Sequence, residues 1–156
     1  MAIDKIRLRQ LASKARDVGV LAFDLETAAP DRKGRLDPHR GWIIGLSLFV
    51  PNSSDSDDGE GDYFDIADSP EWGMSDFVDA FGPLLDDPEF RLVGANLKFD
   101  LQFSRMVGYR IDPTWKRTFP LACPRALICD TQVGDWLLDE NNLHHDLKGP
   151  NGVVKR

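Results

Sequence analysis

Two carboxylates interrupt the most apolar stretch of the chain. In Val20-Leu21-Ala22-Phe23-Asp24-Leu25-Glu26-Thr27 the surrounding residues read as a strand, and Asp24 and Glu26 stand two apart in it. Side chains two apart on a strand leave the same face, with Cβ atoms roughly 7 Å apart at a rise of about 3.3 Å per residue. Two carboxylates in a half-buried place repel each other and lose hydration, so a hard divalent cation with oxygen ligands is one arrangement that holds them. Solvation at a frayed strand end is the other. A second pair, Asn96 and Asp100, lies four apart in Gly94-Ala95-Asn96-Leu97-Lys98-Phe99-Asp100, hence on one face of a helix, with Asn96 at the strand-to-helix turn where it can cap. Cys129-Asp130-Thr131 then opens another helix. Acid-bearing strand, helix start and second helix start together form an order that chance seldom produces.

The elements that must position these residues follow from periodicity. Ile3 to Arg16 reads as an amphipathic helix with Ile6, Leu8, Leu11, Ala12 and Ala15 on its apolar face. Val18 to Leu25 is a strand covered on both faces, ended by Thr27 to Pro30, and Trp42 to Val50 is a second strand weakened at Gly45. Pro51 to Gly61, rich in Asn, Ser, Asp and Gly, reads as a mobile hairpin loop, with Tyr63 to Ile66 as the returning strand. Ser75 is a candidate N-cap for a helix through Phe77, Val78, Phe81, Leu84 and Leu85, with Pro88 beyond it. Arg91 to Ala95 is a strand, Leu97 to Val107 a helix stopped by Gly108, Tyr109 to Pro124 a long surface connection, and Ala126 to Cys129 a strand. Asp130 or Thr131 caps the helix holding Val133, Trp136, Leu137 and Leu138. An antiparallel start followed by alternating helices and strands implies an α/β fold, a mixed sheet flanked by helices. Phe99, Phe103, Met106, Trp42 and Trp136 are expected in its core.

The chain has 156 residues, one domain's length, and 42% hydrophobic with 10% aromatic content supplies a core, which excludes overall disorder. The longest apolar runs, Val18 to Phe23 and Trp42 to Val50, fall well short of the roughly 20 residues a bilayer requires. No membrane partner is expected. Charges interleave from Met1 to Asp17, unlike a signal peptide. Cys123 and Cys129 have neither C-x-x-C spacing nor companion histidines, so a reduced pair and a cytoplasmic location are expected. The net charge is −7, which taken alone argues against nucleic acid. Asp55, Asp57, Asp58, Glu60, Asp62 and Asp65 hold nearly all of it, whereas Lys5, Arg7, Arg9, Lys14 and Arg16, and then Arg32, Lys33, Arg35 and Arg40, form basic stretches that either meet phosphates or are simply solvated. His144-His145-Asp146 is expected to cap or face solvent, since adjacent helical histidines diverge by about 100° and rarely share an ion.

In these segments the chain resembles the 3′-5′ exonuclease (proofreading) domain of family A DNA polymerases, members of the DEDD superfamily with a ribonuclease H-like fold. Val20 to Thr27 looks like the family's first motif and Gly94 to Asp100 like its second. Asp130-Thr131, the Trp136-Leu137-Leu138 helix and Leu143 to Lys148 resemble the stretch before its third, so the resemblance covers roughly residues 18 to 149. It implies two metal ions, Mg²⁺ or Mn²⁺, between the carboxylates and the scissile phosphate. Carried over, Asp24 would bridge both ions, Glu26 would bind the water-activating one, and Asp100 would act on the second; Thr27 and Asn96 would hold the terminal nucleotide. The implied partners are a single-stranded DNA 3′ end and a DNA polymerase domain, in the same or a separate chain.

The family's third motif, Tyr-x-x-x-Asp or His-x-x-x-x-Asp, is missing. Tyr63 and Tyr109 are followed four later by Ala67 and Pro113; His39, His144 and His145 are followed five later by Ile44, Gly149 and Pro150. The resemblance therefore implies one exonuclease-like domain over residues 1–156, incomplete at its C-terminus and weakly active or inactive as it stands. Asp130, Asp135, Asp139 and Asp146 are the acids that could stand in for the absent ligand, although none lies in the motif. The main rival is a module of the same fold that holds single strands or a polymerase partner without cutting. A ribonuclease H-like nuclease acting on RNA is a third reading.

Overall fold

The computed structural model describes residues 4–31, 33–111 and 124–138. Its first helix, α1 (Lys5–Val18), begins where the Asp4 carboxylate accepts the N–H groups of Ile6 and Arg7 at 3.0 Å, and it ends at Gly19, whose φ of 77° suits glycine. That start displaces the helix from the expected Ile3 to Arg16 and leaves Ile6 72% exposed. Strand β1 (Val20–Ala28) begins after Val18, which closes α1, and carries Asp24 and Glu26 to an end within the expected Thr27 to Pro30. After a single 3-10 turn at Gly34–Leu36 come β2 (Trp42–Pro51) and β3 (Gly59–Asp65).

The expected mobile loop over Pro51 to Gly61 is shorter than its composition suggests. The β2–β3 ladder continues to Pro51↔Gly59, and Asn52 N–H closes the turn on the Asp58 carbonyl at 2.7 Å. The reason is α1. Arg7 pairs with both Asp62 and Glu60, and Lys14 Nζ lies 2.9 Å from Glu60 and 2.8 Å from the Asn52 side chain, so acids that read as solvated are held as strand residues. Two of the five bases of the first basic stretch, Arg7 and Lys14, are thereby committed within the molecule, and Lys5 adds a pair with Asp76.

Helix α2 (Pro70–Leu85) begins a full turn before Ser75, because Pro70 sits in its first turn, where a missing N–H and a fixed φ cost nothing. Strand β4 (Arg91–Gly94), α3 (Leu97–Ile111), β5 (Leu127–Asp130) and α4 (Thr131–Leu138) complete the order. α3 passes straight through Gly108, which was expected to end it; a glycine inside a helix costs only about 1 kcal/mol.

The sheet order is β3-β2-β1-β4-β5, antiparallel across β1–β2–β3 and parallel across β1–β4–β5. This is the expected mixed α/β sheet. Leu21, Phe23 and Leu25 of β1 and Leu46, Leu48 and Val50 of β2 bury against α1 and α2 in one contiguous core. Phe23 packs on Phe77 at 5.4 Å and Phe77 on Phe81 at 4.9 Å, side chains whose truncation commonly costs about 3–5 kcal/mol each. Phe103 is core as expected, with Phe99 against it at 4.8 Å. Trp42 is not: at the start of β2 it is 37% exposed. Cys129 is a free thiol. Cys123, Asp139, His144, His145, Asp146, the segment resembling the approach to the third motif, and most of the Tyr109 to Pro124 connection lie outside the described residues, as does the Trp136 side chain. Among the described residues no helix is long and apolar enough to cross a membrane.

Candidate active site

Strand alternation fixes the direction of the first two acids. Phe23 and Leu25 enter the core, so Asp24 and Glu26 leave by the opposite, exposed face. Asp24 is in register with Ser47 and Glu26 with Gly45, and the register shifts between Glu26 and Thr27, a bulge beside the acids after which pairing resumes at Thr27↔Ile43.

Asp100 reaches the same segment from a different direction. β1 pairs with β4 from Val20 to Ala22, and beyond Ala22 its β4-side edge has no strand partner among the described residues. The first turn of α3 fills that place: the Asp100 carboxylate accepts the Leu25 N–H at 3.1 Å. Leu25 is the residue between Asp24 and Glu26, so the third carboxyl is tied to the backbone that joins the other two. Gly94 permits the approach of α3 to β1. A Cβ there would stand 2.7 Å from the Phe23 carbonyl oxygen and 2.6 Å from Leu97 Cδ2.

The electrostatics show the strain of this arrangement. Asp100 is 2% exposed, and burial, followed by the Asp24 charge and a smaller push from Asp130, drives its carboxyl up to about 7 against the opposing Leu25 N–H. Asp24 is raised as well, by partial burial of its carboxyl and then by Glu26. Carboxyls whose ionised form is disfavoured in each other's company offer the oxygen-donor chemistry that a hard divalent cation relieves. Among the described residues no group of three or more His, Cys, Asp or Glu side chains is placed to hold a metal ion by itself. Mg²⁺ needs none, since it commonly takes one or two carboxylates and completes its shell with water and phosphate oxygens. The chemistry of Asp24, Glu26 and Asp100 therefore fits such an ion.

The other expected residues divide. Thr27 lies half-buried just past the bulge, next to Glu26. Asn96 is exposed in the left-handed region, at φ 56°, at the tip of the β4–α3 turn. It is not the cap it was expected to be. Asp130 accepts the N–H groups of Asn96 at 3.1 Å and Leu97 at 2.8 Å, and also those of Gln132 at 3.0 Å and Val133 at 3.3 Å. One carboxylate thus caps two helices, α3 and α4, which commits it as a structural anchor for Asp100 and not as a spare metal ligand. Of the second basic stretch, Arg40 pairs with Asp31, Lys33 is exposed, and Arg32 lies outside the described residues.

Another side chain near the acids is one that sequence spacing places only on the returning strand and outside the third-motif pattern. Tyr63 of β3 is in register with Ser47, and its ring leans across Gly45; a Cβ built at Gly45 would sit 2.5 Å from Tyr63 Cε2 and closer still to its hydroxyl. Only the hairpin register, which sequence spacing does not fix across a loop of uncertain length, brings Tyr63 beside Glu26.

Solved structures share this architecture. RNase D from Trypanosoma brucei superposes with a TM-score of 0.55 at 18% identity, over 83% of this chain and 36% of its own. The structure of that RNase D with RNA U12 gives 0.54 at 16% identity over the same shares. E. coli exonuclease I with a 5cy-dA13 oligonucleotide is further away, at 0.46 and 17% identity, over 80% of this chain and 31% of its own. No family model matches the chain, and a search of curated proteins gives no match. The chain spans little more than a third of the length of RNase D, and within that span its mixed sheet and helices have the ribonuclease H-like fold.

Proposed function

We propose that this chain is a metal-dependent 3′-5′ exonuclease domain that removes nucleotides from single-stranded DNA 3′ ends, akin to the proofreading domain of a family A polymerase and acting beside a polymerase domain. The observation that carries the reading is the Asp100 carboxylate on the Leu25 N–H, which gathers the acids of two separated motifs at one strand end. Asp24, Glu26 and Asp100 would hold the cations, and Thr27 and Asn96 would border the terminal nucleotide. Divalent ions, Mg²⁺ or Mn²⁺, two in a complete site, supply a lowered water pKa and compensate the charge of the leaving 3′ oxygen. Asp24 and Glu26 present their oxygens on the open face, where a strand can approach. Asp100 is held in place by Leu25 and, through α3, by Asp130. With no Tyr or His in the third-motif pattern, no side chain of that motif orients the water, and loss of one such group commonly costs about 10² to 10⁴ in rate. The 156 residues alone are therefore expected to trim slowly.

Calorimetry with Mn²⁺ and trimming of 5′-labelled strands test this together. Asp24→Ala should lose Mn²⁺ affinity and any 3′ trimming while remaining folded. Equal Mn²⁺ affinity in wild type and variant would refute the site. Because one structure of the same fold holds RNA, the assay includes an RNA strand of the same sequence, and a clear preference for it would replace DNA as the substrate.

A further inference from the structure

The open face of the sheet carries more than acids. Register places Asp24, Ser47 and Tyr63 in one cross-strand row and Glu26, Gly45 and Asp65 in the next. Tyr63 starts in the first row and leans over Gly45 into the second, so its hydroxyl lies on the Glu26 side of the face. Gly45 is what makes this possible, because any side chain there would take the space of the ring. The ring is 53% exposed, and the hydroxyl has no hydrogen-bond partner among the described residues. Burial, followed by the charges of Asp65 and Glu26, raises the phenol above its ordinary value, so at neutral pH it is a proton donor.

An unbonded donor held among acceptor-only groups has a narrow choice of ligand. The carboxylates cannot donate to an anionic substrate and can meet it only through cations. A phosphate group brought to Asp24 and Glu26 by those cations would place acceptor oxygens on the face where this hydroxyl stands. We propose that Tyr63 donates a hydrogen bond to a non-bridging oxygen of the terminal nucleotide's phosphate, a direct substrate contact from β3. This rests on the exonuclease reading above and adds to it a donor outside the three motifs.

The test is calorimetry of the 156-residue chain with Mn²⁺ alone, then thymidine 5′-monophosphate into Mn²⁺-saturated protein, then thymidine without phosphate. Tyr63→Phe keeps the ring and removes the donor. Gly45→Ala keeps the phenol and pushes it aside, and the half-exposed ring has room to move. Both variants should bind Mn²⁺ as wild type does, and both should bind the nucleotide about 10-fold more weakly or worse, as expected for a lost hydrogen bond to a charged acceptor. Equal nucleotide affinity in wild type and Tyr63→Phe overturns the assignment, as does an equal loss for thymidine, which would mean contact with the nucleoside. A wild-type chain that takes up no Mn²⁺ removes the exonuclease reading and this contact with it. Normal Mn²⁺ uptake with unchanged nucleotide affinity removes only the contact.

Discussion

Replacing Asp100 with asparagine should change how stability depends on pH. The wild-type carboxyl is raised from 3.8 to about 7, so between those values the folded chain holds a proton that the unfolded chain has released. For an acid raised in this way, the stabilising contribution is complete below about pH 4, falls as pH rises, and is gone above about 7. A rise of roughly three pH units at about 1.36 kcal/mol each corresponds to on the order of 4 kcal/mol. An asparagine at this position would keep an oxygen for the Leu25 N–H at no charge cost, but its two amide donors need partners in a site where Asp100 is 2% exposed, a penalty of about 1–3 kcal/mol. Asp100→Asn should therefore be somewhat less stable than wild type at about pH 4 and about 1–3 kcal/mol more stable at about pH 8, without divalent ions. Urea unfolding in EDTA at the two pH values reads this directly. A stability difference that is the same at both would refute the buried, proton-holding carboxyl. The gain at the higher pH should shrink when Mn²⁺ is added, because the ion stabilises only the wild-type carboxylate.

Other perturbations separate support from chemistry. Asp130→Ala should cost about 2 kcal/mol, since two helix starts lose their acceptor, whereas Asp130→Asn should recover much of it; thermal unfolding compares them. Gly94→Ala should lower the melting temperature by an amount equivalent to about 1–3 kcal/mol and weaken Mn²⁺ binding together, because the new methyl pushes α3 away from β1. Arg7→Ala should destabilise in about 50 mM salt and much less in about 1 M NaCl, as befits ion pairs whose partners remain partly exposed.

Asp24 and Glu26 were legible because charge stands out in an apolar run, and Asp100 because a helix start behind a short strand is a local pattern. What joins them was not local. The Leu25 N–H reaches Asp100 across 75 positions, and Asp130 reaches Leu97 across 33, contacts that exist only once β1, β4 and β5 are in register. The missed start of β3 has the same cause: Gly59 to Gly61 have a loop's composition, and they are strand because Arg7, 53 positions from Glu60, supplies the counter-charge. Trp42 was misread because hydrophobicity reports burial on average, whereas its place at a strand end leaves it partly open. The early start of α2 was present in the sequence, in Pro70, but the later Ser75 offered a more familiar cap.

The alternation along β1 also guards the folding of the sheet. If β1 slipped one residue against β2, Phe23 and Leu25 would turn to water while Asp24 and Glu26 entered the core, each at a desolvation penalty of several kcal/mol. Ala22 and Ser47 on the open face are too small or too polar to oppose such a slip by themselves. The acids assigned to chemistry thus also act as register marks, and a chain carrying Asp24→Ala and Glu26→Ala together loses that mark along with its site. Such a pair should refold more slowly or with more mispaired sheet than either single variant, even where its final stability is unchanged or higher.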